Sequence, residues 1–234
     1  MREVQVPSIL RDLSPESDAA KLLRDYFTSE QRDGVPRFSG SRFESLTPNS
    51  TIETQAFEIT AEDIVAVQCL GVGFTGNQVI EILEEKRRAI NDLLLEPGME
   101  PNATLWADSQ AEVEAPSSPG NRLWDLLKTP RNNGIGPTRA SKIMARKRPS
   151  LFPVYDKWVA EALKRKNAKR FWTTYRDLML TDIDGAPLFQ HLQRIAVEVS
   201  LPQEVTALRV CDVILWYSAN RNLEDRRELI LRRT

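Results

Sequence analysis

Apolar residues recur along this chain at helical rather than strand spacing. Leu22, Leu23, Tyr26 and Phe27 lie on one stripe of a helix over 19–27. Val79, Ile82, Leu83, Ile90 and Leu94 share a face of one long helix over 77–95, with Glu84 and Arg88 in the favourable i,i+4 order. Thr60 is placed to cap a helix that begins at Ala61, with Asp63 three residues on. The same spacing predicts helices over 123–128, 137–147, 157–165, 171–180, 187–199, 204–217 and 223–232. Alternation of period two is weak throughout, so the expected class is all-α. Two stretches, 31–50 and 97–121, are rich in Gly, Ser and Pro and read as irregular. Neither leaves enough flanking helix for a separate core. The expected arrangement is two lobes folding as one cooperative unit, with a cleft between them. Residues 60–182 would form one lobe, and 1–59 with 183–234 the other.

Composition changes this picture little. With 234 residues, 41% hydrophobic and 28% charged, the chain can bury a full core. No apolar run approaches the roughly 20 residues needed to span a bilayer. The N-terminus, MREVQVPSIL, lacks the apolar centre of a signal peptide, so the expected compartment is the cytoplasm. Cys69 and Cys211 sit in apolar helical patterns as buried thiols, and two cysteines cannot hold an iron–sulfur cluster. The single histidine, His191, excludes a multi-histidine metal site.

Charge is distributed unevenly. Between Arg131 and Arg176 there are thirteen Lys/Arg against two acids, Asp156 and Glu161, a block of +11 in a chain of net charge −1. Such a block predicts a basic face for an anionic partner, or else a solvated surface.

Its first half has a recognisable order. Gly134-Ile135-Gly136 turns the chain, and Pro137 stands where a first helical residue should. The two glycines permit positive φ and a close backbone approach, while Ile135 can anchor the turn. Backbone amides at the start of such a helix suit a phosphate. An ordinary αα-hairpin with a glycine cap satisfies the same residues. The helix over 137–147 would be roughly 16 Å long. Arg148 and Phe152 precede prolines, which disfavours helix there. Residues 148–154 can then run back extended, up to about 23 Å, and carry Asp156 towards the hairpin. Directly before KWVAEAL, Asp156 is also a good helix N-cap needing no catalysis.

The stretch 134–156 resembles the signature of the helix-hairpin-helix DNA glycosylase superfamily, of the endonuclease-III and adenine-glycosylase type. There a Gly-hydrophobe-Gly hairpin is followed, twenty residues after its second glycine, by the catalytic aspartate of a (V/I)xD element. Here Gly136 plus twenty is Asp156, and Val154-Tyr155-Asp156 fits the element. The match covers about 35 residues. An ARKRP…PVYD run in a group of bacterial proteins is similar to residues 145–156 as well.

The resemblance implies a two-lobed helical fold with the active cleft between lobes, acting as a monomer on double-stranded DNA and away from membranes. It implies base flipping and hydrolysis of an N-glycosidic bond, with Asp156 as the catalytic carboxylate. The family's lyase lysine, two residues after the second glycine, is Thr138 here, which implies a monofunctional enzyme. Gly134, Ile135, Gly136, Thr138, Arg139, Lys142, Arg146, Lys147 and Arg148 become the expected DNA contacts. Tyr155 becomes a pocket residue, and Arg37, Phe38, Arg42 and Phe43 a wedge near the extruded base. No cofactor is implied beyond a monovalent or divalent cation at the hairpin. The superfamily includes a phage-directed member type that removes glucosylated hydroxymethylcytosine, and this compact, cluster-free chain is compatible with that use. A non-catalytic DNA-binding module with the same hairpin is the competing expectation. The second half of the block, Lys164, Arg165, Lys166, Lys169 and Arg170, fits DNA and a solvated helix end equally.

Overall fold

Side-chain caps set most helix starts. A computed structural model describes residues 5–46, 53–129 and 134–232. In chain order its helices are α1 (Asp18–Thr28), α2 (Ala61–Gln68), α3 (Gly76–Ile80), α4 (Arg87–Leu94), α5 (Pro119–Leu127) and α6 (Pro137–Lys147). These are followed by α7 (Lys157–Ala162), α8 (Phe171–Leu180), α9 (Leu188–Glu198), α10 (Ala207–Ala219) and α11 (Glu224–Leu231). Ser17, Ser118 and Thr206 each accept an amide three residues on. Thr60 with Asp63, and Thr75 with Gln78, close reciprocal capping boxes. Strands β1 (Asp182–Ile183) and β2 (Ala186–Pro187) form one short antiparallel hairpin, turned at Asp184 and Gly185 in left-handed conformation. The all-α expectation holds. No helix among the described residues is long and apolar enough to cross a membrane.

The chain divides into two compact units: Met1–Ser41 with Tyr155–Thr234, and Arg42–Val154. These boundaries differ from the expected lobes. Residues 42–59 group with the hairpin segment, and residues 155–182 with the two ends.

In the terminal unit α10 is central. Ten of its thirteen residues are buried, so it is apolar nearly all round. It packs against α1, α7 and α9. Its two buried charges pair with each other, and Arg209 also bonds Tyr26 Oη and the Gly40 carbonyl. In contrast, α11 buries no residue and is fixed by Arg226 on the Asp25 carboxylate. Tyr217 donates to that same carboxylate at 2.6 Å.

In the middle unit α2 packs on α6, α4 on α5, and α5 on α6. Ile64, Val67, Ile82, Ile90, Leu94, Leu123, Leu127, Ile143 and Met144 form its core. The expected long helix over 77–95 is not uniform. Between α3 and α4 lies a π-helical turn, Glu81–Glu85, in which the Lys86 amide reaches back five residues to the Glu81 carbonyl at 2.9 Å. That turn shifts the register, and the expected Glu84–Arg88 pair is absent. Arg88 lies 4.0 Å from Asp92 instead, and Lys86 pairs with Glu81.

Candidate functional site

The helix α5 ends at Leu127, whose side chain is fully buried. Thr129 then clasps the glycine turn: its amide donates to the Ile135 carbonyl at 3.1 Å, and its Oγ1 accepts from the Ile135 amide at 2.8 Å. Ile135 is buried, as the sequence implied. Residues 130–133 lie outside the described residues. Gly136 is the N-cap of α6, with φ −87° and ψ 178°, and Pro137 follows at the first helical position. This φ is ordinary for any residue, so the expected positive φ is not what Gly136 provides. A Cβ there would meet nothing within 4 Å. The protein's own packing does not require glycine at this position. Gly136 also supplies no side-chain cap, so the first amides of α6, at Thr138 and Arg139, have no acceptor within the helix. The Thr138 carbonyl accepts from Ser141 Oγ at 3.0 Å.

The cations that follow point inward. Lys142, Arg146, Lys147 and Arg148 are 4%, 3%, 3% and 1% exposed. Lys142 donates to the Leu70 carbonyl, and half-buried Arg139 to that of Gly73, both at 2.8 Å. Arg146 bonds Asp63 and the carbonyls of Phe43 and Glu44. Lys147 sits 2.5 Å from the other Asp63 oxygen and 3.0 Å from the Gln55 carbonyl. Arg148 donates to four carbonyls, those of Leu94, Met99, Ala56 and Lys147.

These contacts correct the expectation that Lys142, Arg146, Lys147 and Arg148 form a phosphate-facing surface. The reason is local. Segments around 43–44, 55–56 and 94–99 have carbonyls that helix bonds do not fully use, and buried carbonyls need donors. Long cationic side chains supply them. Burial holds the Lys147 ammonium below its ordinary range, with Asp63 opposing that shift, and pushes Arg148 down to about 10.

The return run also differs from expectation. The amides of Leu151 and Phe152 both bond the Arg148 carbonyl at 3.0 Å, so residues 148–152 make a turn rather than an extended strand. The Leu105 amide bonds the Ser150 carbonyl and holds that turn in the middle unit.

Asp156 belongs to the terminal unit and opens α7. Its Oδ1 accepts the Trp158 amide at 2.9 Å. Its Oδ2 makes no hydrogen bond among the described residues. The carboxylate is half-buried. Beside it, Tyr155 meets Phe171 edge-on at 5.0 Å, and Phe171 meets Tyr175 at 5.1 Å. Lys157 and Arg221 lie over the Trp158 ring at 4.5 and 5.7 Å.

The expected wedge is split between units. Phe38 stacks on Tyr26 at 5.0 Å and meets Tyr217 edge-on, in the terminal unit's aromatic cluster. Phe43 is 2% exposed, under Arg146, in the middle unit. Both rings are committed to packing, which corrects their assignment as inserting residues. Arg37 and Arg42 are exposed.

Sequence reasoning missed two features. Asp63, read as a cap, is also the buried counter-ion of Arg146 and Lys147. A second Gly-hydrophobe-Gly turn, Gly71-Val72-Gly73, is bound to α6 through Arg139 and Lys142. Its likeness to Gly134-Ile135-Gly136 was the available signal. Among the described residues, no group of three or more His, Cys, Asp or Glu side chains could hold a metal. The chain belongs to the DUF6308 family, a family of unknown function, whose family model matches residues 19–219. No curated protein and no solved structure matches it.

Proposed function

From the hairpin geometry and the spacing of the aspartate that follows it, we propose that this chain is a monofunctional DNA glycosylase. The observation that carries the reading is the state of Gly136. Nothing inside the fold needs a glycine there, and the helix it opens has no side-chain cap. A bare backbone with open space in front of amides that have no acceptor among the described residues fits a phosphate that must come close. The Gly-Ile-Gly turn and the aspartate twenty residues beyond it keep the spacing of the helix-hairpin-helix glycosylases.

In this reading a damaged or modified base is flipped from the stack. The C1′–N bond breaks, and the electron pair leaves with the base. The sugar gains oxocarbenium character, which a nearby carboxylate stabilises. The unbonded oxygen of Asp156 orients a water and takes its proton as the water oxygen bonds to C1′. The product is an abasic site. Thr138 in place of a lysine leaves no amine for a Schiff base at that position. Hypermodified cytosine of phage DNA, glucosylated on its hydroxymethyl group, is one substrate within this proposal.

The test is incubation with genomic DNAs of differing modification, and with duplexes carrying standard lesions, followed by mass spectrometry of released bases. Asp156→Asn should lower release by about 10²–10⁴-fold while DNA affinity stays unchanged. Asparagine caps helices as well as aspartate does, so the variant should fold normally. An active Asp156→Asn protein would sink the assignment.

One observation favours a second reading, a non-catalytic DNA-binding module. The Asp156 carboxylate already has a structural task, capping α7. That reading requires that no duplex yields an abasic product.

A further inference from the structure

The +11 block does not form one basic face. Its first cluster, on α6, is buried among carbonyls. The outward charge lies on the loop between α7 and α8. Lys164, Arg165, Lys166, Lys169 and Arg170 occupy seven consecutive positions, and all but Arg165 are exposed. Among the described residues none of the five forms an ion pair. Lys164 bonds the neutral amide of Gln5, and Arg165 bonds the Lys169 carbonyl. Five like charges therefore stand together without an ion pair among the described residues, a repulsive arrangement.

The loop backbone is nonetheless fixed. Lys164 and Arg170 take left-handed φ values of 53° and 56°, unfavourable for residues with a Cβ. The Arg165 amide bonds the Ala160 carbonyl at 2.7 Å, and the Lys169 amide bonds Asn167 Oδ1 at 3.0 Å. A strained, pinned backbone presenting unneutralised cations is the opposite of a frayed, solvated helix end.

We infer that the α7–α8 loop is a polyanion-binding surface and that its partner is the phosphate backbone of duplex DNA. The choice of DNA rests on the glycosylase reading; the need for a polyanion rests on charge and backbone alone. The geometry suits that choice. Asp156 starts α7 and Lys164 follows its end, so one short helix separates the carboxylate from the cations. Its six residues span about 9 Å, close to three base steps at about 3.4 Å each along a strand. A membrane surface fits less well. Phe171 and Trp172, the large apolar residues next to the loop, are buried and cannot insert into lipid.

The test compares the full chain with Lys166→Glu/Lys169→Glu/Arg170→Glu and with a control of equal charge change, Arg88→Glu/Arg194→Glu/Arg232→Glu. Duplex affinity is measured by anisotropy over a range of salt concentrations, with circular dichroism confirming the helical fold. Each phosphate contact adds about 0.9 to the salt slope. The loop variant should lower that slope by roughly 2–3 and weaken binding at least about tenfold at moderate salt, with the control unchanged. The glutamine version of the same triple should show the same loss of slope, which covers misfolding of the reversal. Loop variants that match the control overturn the surface and leave the glycosylase reading standing. A loop-dependent affinity with no base release from any duplex supports the surface and removes that reading. Loop-dependent binding to phosphatidylserine vesicles, with none to duplex DNA, overturns the assignment of partner.

Discussion

Arg148 is the residue that departs furthest from ordinary surface behaviour. It is 1% exposed, bonds four carbonyls and forms no ion pair among the described residues. Its planar fork reaches acceptors from separate segments at once, which a lysine's point charge would not do. Asp63 does the complementary work, holding Arg146 and Lys147 from one carboxylate. Asp63→Asn should therefore lower unfolding stability by about 3–5 kcal/mol, measured by urea denaturation, since it removes the charged carboxylate that both buried cations bond. The pH dependence has a definite sign. Burial lowers the folded-state value of Lys147, so the folded protein releases that proton before the unfolded chain does. Between the two values the unfolded state binds more protons, and stability rises with pH. Without Asp63 the window should widen towards lower pH. The capping role of Asp63 was legible in Thr60-Ala-Glu-Asp63. Its pairing with Arg146, 83 positions away, was not, because local spacing carries no information about distant partners.

At the scale of elements, sequence and structure agree where periodicity is clear, even at helix starts that carry no side-chain cap. The helices at 137–147 and 171–180 were placed to the residue. What the sequence concealed was the direction of charge. Cations on a helix ordinarily mark its solvent side, yet eight of the eleven residues of α6 are buried, including Lys142, Arg146 and Lys147. The irregular neighbours with carbonyls to satisfy have no sequence signature of their own. The start of α6 offers a test in which fold and function move in opposite directions. Aspartate is a better N-cap than glycine and complements the helix dipole. Gly136→Asp should thus leave thermal stability equal or raise it by a few tenths of a kcal/mol, while placing a negative side chain against an approaching phosphate. Loss of duplex affinity with unchanged or higher Tm is the expected pair of results. Unchanged affinity would show that this helix start is not where DNA sits.

At the scale of the molecule, both chain ends belong to one unit, and the middle unit is a single continuous insertion between Ser41 and Tyr155. The helical class was legible in the sequence, but the one long helix expected over 77–95 is α3 and α4 on either side of a π-helical turn, and the boundaries between units were not legible. Periodicity reports which residues are buried but not against which neighbour. The glycine-rich stretch 31–50, read as one irregular segment, contains the division between Ser41 and Arg42. A break at Asn121 falls inside α5, ahead of buried Leu123 and Leu127, and separates α4 from α6. Fragments 1–121 and 122–234, produced separately, should show neither native helicity nor a cooperative melt.

The π-helical turn at Glu81–Glu85 has a consequence for how the gene can change length. Between Gly76 and Leu94 it gives the chain one residue beyond a regular helix with the same two ends. Removing one residue from that turn would restore regular winding between the same two ends, whereas the same deletion from α3 or α4 would rotate everything upstream by about 100°. Gln78, which closes the cap of α3 from a buried position, would keep its present side. A single-codon deletion is therefore absorbed at this turn and nowhere else along the segment. In sequence comparisons, a one-residue gap within Glu81–Glu85 signals a lost π turn rather than a re-aimed α3.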